Sequence, residues 1–262
     1  MDTVEVHGLR IAFERRGAGP PLVLLHGGLS DHREWRAQLE ELSDTYTVIA
    51  WDTPGCGASS PPPATFGMPD YAEALAAFVG SVTPDRPHVA GLSWGSTLAL
   101  ELYRRRPDLP RTLLLVSAYA GWAGSLPREE VERRLEAALD DLERSREDLV
   151  RSFLPTLFTE RAPAAMVEEM ADVMNGSDAA AARTMLTAMA DADLRPVLPT
   201  ISVPTLLLYG EEDERSPLGV AREMHEQIPG SELVVLPSVG HQCNVEAADR
   251  FNDTVRSFLR SR

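Results

Sequence analysis

A chain of 262 residues, 44% hydrophobic and 25% charged, has the length and composition of an ordinary globular protein with one large core and room for an accessory piece. Its net charge of −15 argues against nucleic acid or an anionic membrane as partner, because both require a cationic face. All 25 basic residues are arginine, which excludes a Schiff-base lysine or a Ser–Lys mechanism.

The opening segment VEVHGLRIAFERR at 4–16 alternates apolar and polar residues, and His7-Gly8 marks a turn between two short strands. The apolar run 22–25 then predicts a strand buried on both faces, ending in His26-Gly27-Gly28. Asp31 with Glu34 three residues on resembles a capping box, opening a helix to about Leu42. A strand at 45–51 leads into the loop that starts at Asp52, and a helix follows over 70–79. A short strand at 88–91 runs directly into a helix at 94–105, stopped by Pro107, and another strand follows at 112–116. The rhythm resumes with a strand at 203–209, a helix at 217–227, a strand at 233–236 and a closing helix at 245–259. Strands and helices alternating at this pace specify an α/β fold with a doubly wound, mostly parallel sheet.

Between about Gly121 and Pro199 the pattern is helical throughout, with helices expected at 128–142, 146–158, 163–174 and 178–190. The expected organisation is therefore a core made of 1–120 and 200–262, with a helical cap at 121–199 over the sheet's C-terminal edge. Open α/β sheets bind ligands at that edge.

Gly91-Leu92-Ser93-Trp94-Gly95 matches G-x-S-x-G and sits between a strand and a helix, where the motif makes a tight turn that exposes the serine. A serine hydroxyl is a weak nucleophile near neutral pH and needs an imidazole base, which in turn needs a carboxylate to orient it. Asp213 and His241 follow in the order Ser, acid, His, each just past a strand end, so both belong at the same edge as Ser93. Glu211, Glu212 and Glu214 flank the aspartate as alternatives, whereas Ser117-Ala118-Tyr119, after the strand at 112–116, offers no carboxylate. Among the other histidines, His7, His32 and His225 read as surface residues, His88 as structural and His26 as a brace for its loop. The oxyanion donors expected are the backbone N–H groups of Trp94 and Gly28, with Leu29 as the alternative to Gly28.

HGG at 26–28, D-x-P-G-x-G-x-S at 52–59, GLSWG at 91–95, G-x-x-D at 210–213 and GH at 240–241 together resemble the α/β-hydrolase superfamily. More narrowly they are similar to its capped serine hydrolases, the group of 3-oxoadipate enol-lactonases, carboxylesterases and meta-cleavage C–C hydrolases. The resemblance covers everything except the cap, and it departs at the elbow, where Trp94 and Ser96 stand in place of the Met and Gly of many relatives. It implies a small or medium carboxylic ester or lactone as substrate, cleaved through an acyl-enzyme. C–C bond hydrolysis, acyl transfer or cyclisation, and slow-turnover ligand binding remain as alternatives on the same fold.

No cofactor and no metal site are expected, since no Cys/His cluster or phosphate-cradling glycine loop occurs. Cys56 and Cys243 read as small loop residues rather than a bridge or a catalytic thiol. No apolar run approaches the roughly 20 residues of a membrane span, and the start of the chain lacks a leader pattern, so a cytoplasmic location is expected. Trp122, Phe153, Phe158 and Met170 are the candidate pocket residues of the cap. Its methionines at helical spacing, Met166, Met170 and Met174 and then Met185 and Met189, suit either an adaptable apolar pocket or helix packing. Natural substrate, stereochemical preference and oligomeric state are not legible in the residues.

Overall fold

The computed structural model describes residues 1–176, 178–260 and 262, with Ser177 and Ser261 outside them. Strands β1 (Asp2–Val6), β2 (Leu9–Arg16), β3 (Pro21–Leu25), β4 (Thr47–Trp51), β5 (His88–Leu92), β6 (Thr112–Val116), β7 (Thr205–Gly210) and β8 (Glu232–Leu236) form one sheet. Its order is β1-β2-β4-β3-β5-β6-β7-β8, antiparallel at β1–β2 and β2–β4 and parallel from β4 through β8. Every residue of β3, β5, β6 and β7 is buried, as strands covered on both faces must be.

Period-two alternation splits the core between the two faces. Val23, Leu25, Val89, Leu113, Leu115 and Leu207 point to one face, against α2 (Met68–Val82), α3 (Trp94–Arg105) and α8 (Leu218–Gln227). Leu22, Leu24, Ala90, Leu114, Leu206 and Leu208 point to the other, which α1 (Arg36–Glu41) and α9 (Ala248–Leu259) cover. The chain therefore closes into a doubly wound three-layer α/β fold, in which every parallel strand delivers its C-terminal end to the same edge.

Between β6 and β7 the described residues include no strand and four α-helices, α4 (Arg128–Arg144), α5 (Arg146–Phe153), α6 (Ala164–Asn175) and α7 (Ala179–Asp191). Their apolar residues join the first core face without a break, Leu149, Met185 and Met189 among them. Helix α5 stops at Phe153, short of the expected end at 158, because Pro155 removes a backbone donor and the chain tightens into a 3-10 turn at Leu154–Thr156.

The segment after His26-Gly27-Gly28 also departs from expectation. In place of one helix from Asp31 to Leu42 the chain makes a 3-10 turn (His32–Trp35), α1, and a second 3-10 turn (Leu42–Asp44). Asp31 does cap, accepting the Arg33 N–H at 2.9 Å, but Glu34 turns inward instead of reaching back to complete a capping box. At the start of α2 only the acidic half of such a box forms, Asp70 accepting the Gly67 N–H at 2.8 Å while glycine has no side chain to reciprocate. No helix among the described residues is long and apolar enough to cross a membrane.

Candidate active site

Ser93 stands at the junction of β5 and α3 with φ +52° and ψ −108°, a backbone geometry that costs a non-glycine residue about 1–3 kcal/mol. The surrounding sequence permits it. A Cβ on Gly91 would lie 2.2 Å from the Gly95 carbonyl oxygen, and one on Gly95 would lie 2.2 Å from that of Leu25. The elbow is fixed from both sides, the Ser93 N–H donating to the Val116 carbonyl at 2.9 Å and its own carbonyl accepting the Ser96 hydroxyl at 2.6 Å. Ser93 is half-buried at the start of α3, on the edge shared by the parallel strands.

Asp213 and His241 leave the ends of β7 and β8 and meet behind that edge. His241 Nδ1 lies 2.9 Å from both carboxylate oxygens of Asp213, and both side chains are buried. Asp213 Oδ1 also accepts the backbone N–H groups of Arg215 (2.9 Å) and Ser216 (2.8 Å). The carboxylate is thus held by backbone, and it can take only a proton-bearing Nδ1, which leaves Nε2 free to accept. The two loops approach this closely because a Cβ on Gly210 would sit 2.1 Å from the Gly240 carbonyl oxygen. Ser117 pins the histidine from the neighbouring strand, its hydroxyl donating to the His241 carbonyl at 2.8 Å. Glu211 and Glu212 are exposed and engaged elsewhere, Glu211 with the Ser238 N–H and Glu212 with Arg161.

The loop after β3 is braced from below. His26 Nε2 accepts the Thr53 N–H at 2.9 Å, so its proton sits on Nδ1, which donates to the Gly27 carbonyl at 2.7 Å. Burial holds the His26 pKa below the usual imidazole value, consistent with a neutral ring. The Gly28 and Trp94 backbone N–H groups have no acceptor among the described residues, and both residues border the cavity described below. Leu29 adopts φ +66°, turning the chain away immediately after Gly28.

Glu34 is the residue that sequence reasoning missed. Its buried carboxylate accepts the Gly27 N–H at 2.6 Å and the Gln242 side-chain amide at 2.7 Å, joining the β3 loop to the residue after His241. Burial pushes its pKa up to about 7. Because the folded form holds a proton that the unfolded chain releases near pH 4.5, the Glu34 contribution is full below about pH 4.5 and lost as pH rises through about 7. Glu34→Gln is therefore expected to flatten the fall of stability with pH, by on the order of 3 kcal/mol between pH 4.5 and 8 relative to wild type. Urea unfolding of both proteins at the two pH values checks this, and an unchanged difference at both would contradict it.

Ser93 and His241 open into one cavity. Gly28, Leu29, Trp94 and Gln242 border it from the core, while Trp122, Phe153, Leu157, Met185, Leu186 and Met189 close it from the helical insertion. Trp94 is buried edge-on against Tyr71, centroids 5.0 Å apart, and forms part of the wall. Trp122 and Phe153 stand where a pocket role requires, but Phe158 and Met170 do not line this cavity. Phe158 lies beyond the 3-10 turn that ends α5, packed in the core, and Met170 on α6 faces a separate hollow with Arg33 and Val173. The methionine question thus divides by helix: α7 turns Met185 and Met189 to the cavity, and α6 uses Met170 and Met174 for packing.

Asp31, His32 and Asp52 have their potential ligand atoms within 4.8 Å of one another, but these are already engaged. Arg33 pairs with Asp31 at 2.6 Å, and Asp52 accepts both His32 Nδ1 (2.7 Å) and the His32 N–H (2.8 Å). This cluster braces the loop, and it draws His32 off the surface where its helical position had placed it. Cys56 and Cys243 are both buried and unbridged.

Comparison with known proteins adds a consistent picture. Residues 22–254 match the alpha/beta hydrolase family. The pimeloyl-[acyl-carrier protein] methyl ester esterase of Aeromonas salmonicida is 28% identical over 96% of this chain and 100% of its own length. A thermophilic esterase from Thermogutta terrifontis superposes with a TM-score of 0.90 at 29% identity, covering 99% of this chain and 96% of that one. The enol-lactonase from Burkholderia xenovorans LB400 does so with a TM-score of 0.88 at 26% identity, over 99% and 100%. With a family match across nearly its whole length and the doubly wound sheet that match requires, the chain belongs to the alpha/beta hydrolase family.

Proposed function

We infer that this hydrolase cleaves a small or medium carboxylic ester or lactone through an acyl-enzyme. One observation carries the reading: Ser93 and His241 share a cavity while Asp213 holds His241 Nδ1 from behind, at 2.9 Å to each oxygen. Ser93 attacks the carbonyl as His241 Nε2 takes its proton, and Asp213 stabilises the imidazolium. His241 then protonates the leaving alcohol and afterwards removes a proton from the water that releases the acid. The N–H groups of Gly28 and Trp94 receive the oxyanion, each contributing roughly 3 kcal/mol to the transition state. The amino end of α3 adds a favourable dipole.

The helical insertion acts as a cap. Its apolar side chains cover the cavity, exclude water from the reacting carbonyl and select an apolar stem on the substrate. The esterase and lactonase named among the relatives support ester chemistry over C–C cleavage or ligand binding alone.

A rapid-mixing assay with p-nitrophenyl butyrate tests this. The expected result is a burst of about one equivalent of p-nitrophenol per chain followed by slower turnover, the signature of an accumulating acyl-enzyme. Product analysis with an added alcohol separates hydrolysis from acyl transfer, and the acid is expected as the main product. Neither burst nor turnover with any short ester would overturn the reading in favour of a binding role.

A further inference from the structure

Arg215 is the permanent cation among the described residues lining the cavity. Its place is set by its backbone, whose N–H donates to Asp213 and whose carbonyl accepts the Tyr119 hydroxyl and Arg134 Nη1 (3.0 Å). The side chain is half-buried and runs toward the helical insertion. There its guanidinium carbon sits 4.2 Å above the Phe153 ring centroid, and Nη1 donates to Thr156 Oγ1 at 3.0 Å. No carboxylate among the described residues lies within ion-pairing distance of it, whereas nearby Arg134 and Arg161 pair with Glu130 and Glu212 at 2.6 Å each. Burial lowers the Arg215 pKa, as expected for a cation lacking a neutralising partner.

A guanidinium has five N–H donors in a planar fork, and a protein acceptor takes one of them. In a chain with 40 acidic residues, a cation left unpaired on an apolar wall marks a place for an anion supplied by the ligand. The fork suits a carboxylate, and its surroundings favour a single negative charge. Arg215, Phe153 and Trp122 also border an outer hollow whose Arg133 and Arg134 are already paired with Glu130, at 2.7 and 2.6 Å, and to which Asp141 and Glu214 add negative charge.

We propose that the cavity takes esters bearing a carboxylate at the end remote from the scissile bond, with Arg215 pairing bidentately to that carboxylate while Phe153 holds the guanidinium plane. The proposal rests on the reading of Ser93 as the nucleophile of this cavity.

The test compares matched substrates: monomethyl adipate against methyl hexanoate, and monomethyl glutarate against methyl pentanoate. Wild type is expected to favour the half-ester of at least one pair by roughly 10- to 100-fold in kcat/KM. Arg215→Met, which keeps a side chain to pack on Phe153, should erase that preference mainly through KM, and Arg215→Lys should restore part of it. Equal losses on both members of each pair would make Arg215 a brace for Thr156 and overturn the proposal, as would a wild-type preference for the neutral esters.

A calorimetric arm separates this failure from that of the esterase reading. Monomethyl adipate is titrated into Ser93→Ala with and without Arg215→Met. Binding weakened at least about ten-fold by Arg215→Met, with no turnover of any ester by wild type, would sustain the anion site and sink the esterase reading. Turnover of neutral esters combined with binding indifferent to Arg215 would do the reverse.

Discussion

Replacing Ser93 by alanine is expected to lower kcat/KM for p-nitrophenyl butyrate on the order of 10⁵-fold or more, leaving the residual rate that the oxyanion donors and binding alone provide. The variant keeps the elbow, because that geometry is imposed by Gly91, Gly95 and the Ser93 N–H bond to Val116, none of which involves the hydroxyl. Its thermal midpoint should therefore stay within a few degrees of wild type, since the change removes one half-buried hydroxyl. A loss below about ten-fold with the fold intact would mean that another group performs the attack.

Asp213→Asn is expected to cost about 10⁴-fold in kcat/KM, the scale on which the same change acts in serine proteases. The reason here is geometric. The two backbone N–H groups on Oδ1 require an acceptor, so the asparagine must place its carbonyl oxygen there and turn its NH₂ toward His241. Nδ1 must then accept, the ring proton moves to Nε2, and the imidazole can no longer receive the Ser93 proton. Kinetics of the variant across pH 6–10 check this, and a loss below ten-fold would point to a neighbouring carboxylate as the orienting acid.

The parts legible in the sequence were those whose position follows from local pattern. Uninterrupted apolar runs such as 22–25 and 112–116 identify strands buried on both faces, and a parallel sheet places all their C-terminal ends on one edge. Ser93, Asp213 and His241 each follow a parallel strand of that sheet, so their placement on one edge needed no knowledge of side-chain packing. Glu34 was misread because its spacing from Asp31 satisfies a capping pattern, while its true partners, Gly27 and Gln242, come from distant loops. Arg215 was overlooked within an acidic run, where its burial beside Phe153 depends on where α5 ends. Helical periodicity groups Met170 with Met166 and Met174, but which face of a helix meets the cavity is decided by packing between helices. That is why Met185 and Met189, and not Met170, line it.

The most direct test of the central claim is covalent trapping. Wild type and Ser93→Ala are incubated with a fluorophosphonate, then digested and mapped by mass spectrometry. The expected result is one adduct per chain on the peptide carrying Ser93, absent from the alanine variant and slowed by monomethyl adipate or methyl hexanoate. An adduct on a different residue, or equal labelling of both proteins, would contradict the assignment of Ser93 as the nucleophile.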